Sequence, residues 1–154
     1  MMLLFIILLM VIAMRNYYIF RMKREFVNLY RDSPSSLFNV LKHLYYMKKC
    51  DVSYGFNLFN QLTMKIDKNK LDREIYIKYH NEMVYSKNKD EHIINNLYKD
   101  EVSILTIKNA YIYVTTNNNY TSFFNVIDSL GDEYFACDFE KLDYFWLNDI
   151  KMLV

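Results

Sequence analysis

The chain has 154 residues, 53% hydrophobic and 24% charged, with 19 Lys and Arg against 18 Asp and Glu, two Cys, two Gly and one Pro. That is enough apolar content for one packed domain and too little net charge for a disordered chain. Glycine-dependent phosphate loops, dinucleotide fingerprints and nucleophile elbows need at least two glycines at short spacing, so Gly55 and Gly131 exclude most nucleotide enzymes.

Met1 to Met14, MMLLFIILLMVIAM, is an uninterrupted apolar run. Fourteen helical residues rise about 21 Å, short of a hydrocarbon core of about 30 Å. Extension through Phe20 completes a span if Arg15 snorkels and Tyr17, Tyr18 and Phe20 lie at the interface. The expected anchor is residues 1–20, with Leu3, Leu4, Phe5, Ile6, Ile7, Leu8, Leu9, Val11 and Ile12 in lipid. A cleaved signal peptide needs a positive start and small residues at its end, and neither is present.

The flank carries Arg15, Arg21, Lys23 and Arg24, a basic juxtamembrane group that sets the tail on the cytosolic side, in the nucleoplasm or in a virion interior. Charge is graded: residues 15–50 carry eight Lys and Arg against two Asp and Glu, whereas residues 101–154 carry three against eight. Phe26, Leu29 and Tyr30 keep a helical period, so residues 21–32 read as a basic helix continuing out of the membrane.

The remainder, 33–154, is expected to form a compact α+β domain with an antiparallel sheet of two hairpins and flanking helices. Ser33 and Pro34 open a helix to about Lys49, with Leu37, Val40, Leu41, Leu44 and Tyr45 on its apolar face. Residues 58–66 and 71–79 flank the turn-rich Asp67-Lys68-Asn69-Lys70, and Ile75, Ile77 and Tyr79 alternate with polar residues, which predicts a hairpin. Ser86 to Glu91 reads as a loop leading to a short helix with Ile93, Ile94 and Leu97 inside. Residues 102–107 and 110–115 predict a second hairpin. Thr121 to Gly131 predicts a helix, 134–139 a strand, and 142–152 an apolar element of undecided type.

Candidate chemistry is sparse. Cys50 and Cys137 lack metal-site spacing, and are either one long-loop disulfide or buried thiols. His43, His80 and His92 lack any metal or triad spacing. Asp138, Glu140 and Asp143 form an acidic patch without a calcium-loop pattern. Asn119-Tyr120-Thr121 is a possible glycosylation sequon. The 15 Tyr and 11 Phe exceed ordinary core needs and suit a protein interface, whereas 111–124 holds no Lys or Arg and disfavours nucleic acid. Neither a cofactor nor a small-molecule substrate is expected.

Asn, Lys, Ile, Tyr and Phe supply 70 residues, against 11 from Ala, Gly, Pro and Arg, as an A+T-rich genome would produce. An apolar N-terminal run followed by Arg15, Arg21, Lys23 and Arg24 resembles the sorting sequence of baculovirus envelope proteins. With this composition and tail length, the chain resembles the smallest per os infectivity factors. That resemblance implies a non-enzymatic viral envelope subunit, routed through the host inner nuclear membrane and assembled with other membrane proteins into an oral infectivity complex. The alternatives are a membrane-tethered enzyme using His43, His80, His92 or the cysteines, and a secreted binding protein.

Overall fold

The computed structural model describes residues 1–4, 14–47 and 52–153. Its centre is β1, Arg15–Met22, a strand with a twofold side-chain period. Tyr17 and Ile19 enter one core, while Phe20 and Met22 enter another on the opposite face. β1 pairs antiparallel with β6, Ile112–Thr116, on one side and with β7, Tyr134–Asp138, on the other. β3 (Tyr85–Asn88), β4 (Glu91–Asn96), β5 (Glu101–Ile107) and β8 (Asp143–Trp146) complete the order β3-β4-β5-β6-β1-β7-β8. The short β2, Thr63–Met64, pairs with the end of β1 and makes eight strands among the described residues.

This overturns the expected N-terminal transmembrane helix. Residues 15–20 were needed to give the anchor its length, and they are instead in the middle of a sheet. Among the described residues no helix is long and apolar enough to cross a membrane. Leu3 and Leu4 are exposed, and Phe5, Ile6, Ile7, Leu8, Leu9, Val11 and Ile12 lie outside the described residues. The boundary expected at residue 20 falls inside β1, and the basic stretch 21–32 divides between β1 and a short helix, α1, Arg24–Tyr30.

One face of the sheet is covered by α1, α2 (Pro34–Tyr45) and α3 (Val52–Leu62). Pro34 occupies the first turn of α2, where its missing N–H is not needed, and Leu37, Phe38 and Leu41 form the buried stripe. The other face is covered by α4 (Lys68–Tyr79), α5 (Phe123–Asp128) and a closing 3-10 helix, Leu147–Leu153.

The expected hairpin over 58–79 is a pair of helices. Asp67 caps α4 by accepting a hydrogen bond from the Lys70 N–H, and Leu71, Ile75 and Tyr79 recur every four residues on the buried side. The expected loop and short helix at 86–97 is the β3–β4 hairpin, with His92 and Ile94 inward and Leu97 in the following turn. The hairpin at 102–115 is present as β5–β6, and the strand at 134–139 is present as β7.

Candidate protein-docking surface

An apolar groove of about 410 Å³ opens between α2, α3 and the sheet. Tyr18, Phe20, Tyr111 and Phe139 form its floor, with Leu41, Leu44 and Tyr45 on one wall and Gly55, Phe56 and Phe59 on the other. The floor is held by ring contacts: Tyr18 lies 5.3 Å from Tyr111 and 5.5 Å from Phe139, and Phe139 stacks on Tyr45 at 4.4 Å. Such pairs add about 0.5–1.5 kcal/mol each beyond their buried area. Gly55 permits the close approach of α3 to Met47, since a Cβ there would meet the Met47 sulfur. Burial, then hydrogen bonding to Tyr45, raises the Tyr18 phenol above its ordinary value, so it stays neutral.

Large apolar side chains are exposed along the same layer: Leu29 on α1, Tyr45 and Tyr46 at the end of α2, Tyr54 and Phe56 on α3 and Met64 on β2. Tyr54 is 68% and Phe56 64% exposed, which is far outside the behaviour of core residues. Aromatic side chains displayed in this way are the usual anchors of protein interfaces.

The basic group Arg15, Arg21, Lys23 and Arg24 has an internal role. Arg15 binds Asp138 and Asp143, each at 2.9 Å, and its guanidinium also donates to Asn119. Arg21 pairs with Glu133 at 3.3 Å, and Arg24 binds Asp132 at 2.7 Å. Arg31 also bonds Asp132 and stacks over Trp146. The backbone N–H of Lys23 donates to Leu62. The charge gradient therefore folds onto itself: the basic beginning and acidic end of the chain meet across β1, β7 and β8. The Asp138, Glu140 and Asp143 patch is explained in part by this clamp on Arg15.

Among the described residues the other expected candidates do not converge. Cys137 is a free, fully buried thiol on β7, with its pKa pushed up by burial and then by Asp138 and Asp143; Cys50 lies outside the described residues. Asn119 is exposed in the loop before α5, where its carbonyl accepts the Tyr17 hydroxyl. His43 is in α2, His80 ends α4, and His92 is in β4. Among the described residues no three His, Cys, Asp or Glu side chains are grouped to hold a metal.

Two polar clusters fasten the opposite face. The buried Glu101 carboxylate accepts from the hydroxyls of Ser103, Thr121 and Ser122 and from the Ser122 N–H. Tyr85 bonds His92 Nδ1 at 2.7 Å, while His92 Nε2 bonds Asp72 at 2.8 Å and Lys87 reaches Asp72 at 3.0 Å. Burial lowers the His92 pKa, outweighing the opposite pull of Asp72. The neutral ring then accepts from Tyr85 and donates to Asp72, which satisfies both nitrogens.

No curated protein matches the chain. The family described as sporulation inhibitor of replication protein SirA matches residues 15–151, from the first residue of β1 into the closing 3-10 helix. This overturns the resemblance to baculovirus per os infectivity factors, and with it the viral envelope, the oral infectivity complex and the inner nuclear membrane route. An A+T-rich composition reports base content and does not distinguish a virus from a sporulating bacterium. The chain belongs to the family of the sporulation inhibitor of replication protein SirA.

Proposed function

We propose that the protein restrains DNA replication during sporulation by binding a protein of the replication machinery through the α1–α3 layer, without catalysis. The family match over residues 15–151 carries this reading. The mode of action is supported by the exposed Leu29, Tyr46, Tyr54 and Phe56, which supply apolar anchors on one side of the molecule. A protein partner is favoured over DNA because Arg15, Arg21, Arg24 and Arg31 are engaged by Asp132, Glu133, Asp138 and Asp143. Phosphate binding needs cations that are available to replace counterions.

The test is expression in a sporulating bacterium, with origin-to-terminus marker ratio as the readout. The wild-type chain lowers the ratio, whereas Tyr54→Glu combined with Leu29→Glu restores it at equal protein level. Both positions are exposed, so the fold is retained. An unchanged ratio on expression of the wild-type chain refutes the reading.

A further inference from the structure

A polar cavity of about 380 Å³ lies at the margin of the α4–α5 face, where the β4–β5 turn, the loop between β6 and α5, and the closing 3-10 helix meet. Its frame is tied down. The Asn117 carboxamide accepts from the Val102 N–H and donates to the Asp100 carbonyl, each at 2.9 Å, which stitches the loop to the start of β5. The Asn119 carbonyl accepts the Tyr17 hydroxyl at 2.7 Å, and the Ser122 carbonyl accepts the Tyr79 hydroxyl at 3.0 Å. The wall is therefore presented by backbone already in place, and a ligand does not have to order it.

The chemistry of the wall is mixed and balanced in charge. Lys99 contributes one ammonium and Glu101 one carboxylate. Glu101 is 2% exposed and its oxygens are taken by donors from Ser103, Thr121 and Ser122, so it is not free to seat an ammonium ion. Its charge still opposes an anion, while Lys99 opposes a cation. The other polar groups act both ways. Among the described residues the Asn118 and Asn125 carboxamides make no hydrogen bond, and each offers donors and an acceptor to the cavity. Ser122 Oγ gives its proton to Glu101 and keeps its lone pairs for an incoming donor. Tyr120, 43% exposed, adds an aromatic face, and Ile150 an apolar patch.

We propose that this cavity binds an uncharged polyhydroxylated ring of hexose size. Hydroxyls that donate and accept at once match the two carboxamides and Ser122, and the C–H side of the ring suits the electron-rich face of Tyr120. A charged ring of the same shape is disfavoured by one or other of the two resident charges. The volume falls within the ordinary range of small-molecule sites, about 300–1,000 Å³. None of these residues belongs to the α1–α3 layer, so the site stands apart from the inhibitory contact proposed above.

Saturation-transfer NMR on the purified full chain, titrated with D-glucose, D-galactose and D-mannose, tests the site. At least one hexose is expected to bind saturably, with the strongest transfer at its ring C–H protons. The 2-amino and 6-phosphate forms of that hexose, and L-serine as a zwitterion, are expected to bind about tenfold more weakly or not at all. Tyr120→Ala and Asn125→Ala are each expected to weaken the hexose about tenfold. Tyr98→Ala, at a fully exposed position of the neighbouring turn, leaves the affinity unchanged. Circular dichroism checks folding; Asn125 is exposed on α5 and keeps the test alive if Tyr120→Ala is unfolded.

Absence of saturable binding by all three hexoses, equal or tighter binding of a charged form or of serine, or undiminished affinity in folded Asn125→Ala overturns the proposal. The titration does not read replication, so its failure leaves the inhibitor reading in place. Failure of the wild-type chain to inhibit replication in cells leaves the hexose result standing.

Discussion

The two faces of the sheet are built from similar residues and are closed to different degrees. The α4–α5 face holds Tyr17, Ile19, Leu105, Ile112, Val114, Phe123 and Ile127 completely or almost completely buried, sealed by the 3-10 helix. Its polar groups are also consumed, Glu101 by hydroxyls and His92 by Tyr85 and Asp72. The α1–α3 face has its own buried set, Met22, Leu37, Phe135 and Trp146 among them, yet leaves a groove open and displays Tyr54 and Phe56 to solvent. Aromatic content alone therefore does not mark a binding surface. The candidate docking face is the one whose aromatic content the fold leaves unsealed.

The sharpest way to break this contrast is to damage the closed face. Phe123→Ala, at a fully buried ring, is expected to cost about 3–5 kcal/mol in denaturant unfolding. A loss below about 1 kcal/mol would mean that this face is not the stabilising one. Next is Glu101→Leu, which leaves Ser103, Thr121 and Ser122 without their shared acceptor. The expected cost is about 1–3 kcal/mol, read as a lower midpoint in the same experiment.

The His92 cluster makes the closed face sensitive to acid. The folded pKa lies below the ordinary histidine value near 6.5, so the unfolded chain binds the proton more readily. Stability is therefore full above that value and falls as pH drops from it toward the folded pKa. A thermal midpoint falling between pH 7.5 and pH 5.5, with a shallower fall in His92→Gln, is the expected result; parallel profiles would remove His92 as the cause. Asp72 has its own, lower window: desolvation opposes its ionisation, but Lys87 and His92 hold its pKa below the usual carboxylate value. That contribution is present above the ordinary carboxylate range and is lost as pH falls through the folded value. The smallest effect on stability is expected on the open face, where Tyr54→Glu changes unfolding by less than about 0.5 kcal/mol while weakening inhibition of replication.

Local patterns found the elements whose neighbours in space are neighbours in sequence. The β5–β6 hairpin, α2 behind Pro34 and the α5 segment before Gly131 each carry their own period and punctuation. β1 was hidden because it is buried on both faces: Tyr17, Ile19, Phe20 and Met22 give a nearly continuous apolar run that merges with the fourteen residues before it. At 68–79 a period of two competed with a period of four, and burial of Leu71, Ile75 and Tyr79 with exposure of Tyr76 and Ile77 decides for the helix. The groove had no local signature, since its floor joins residues 18, 20, 111 and 139. The basic cluster was visible as a group but its acidic partners lay more than 100 residues away.

The position of β1 has a consequence for how the molecule comes into being. Of the described strands, the earliest in the chain is the one around which the sheet closes, and its two long neighbours are β6 and β7. During synthesis its ladder groups wait for partners encoded near residues 112 and 134, so the open edges stay exposed until most of the polypeptide has left the ribosome. A chain truncated before β7 would keep β1 paired with β6 but lose the β7–β8 hairpin and the closing 3-10 helix, leaving the other edge of β1 open, and is expected to aggregate rather than to persist as a smaller folded domain.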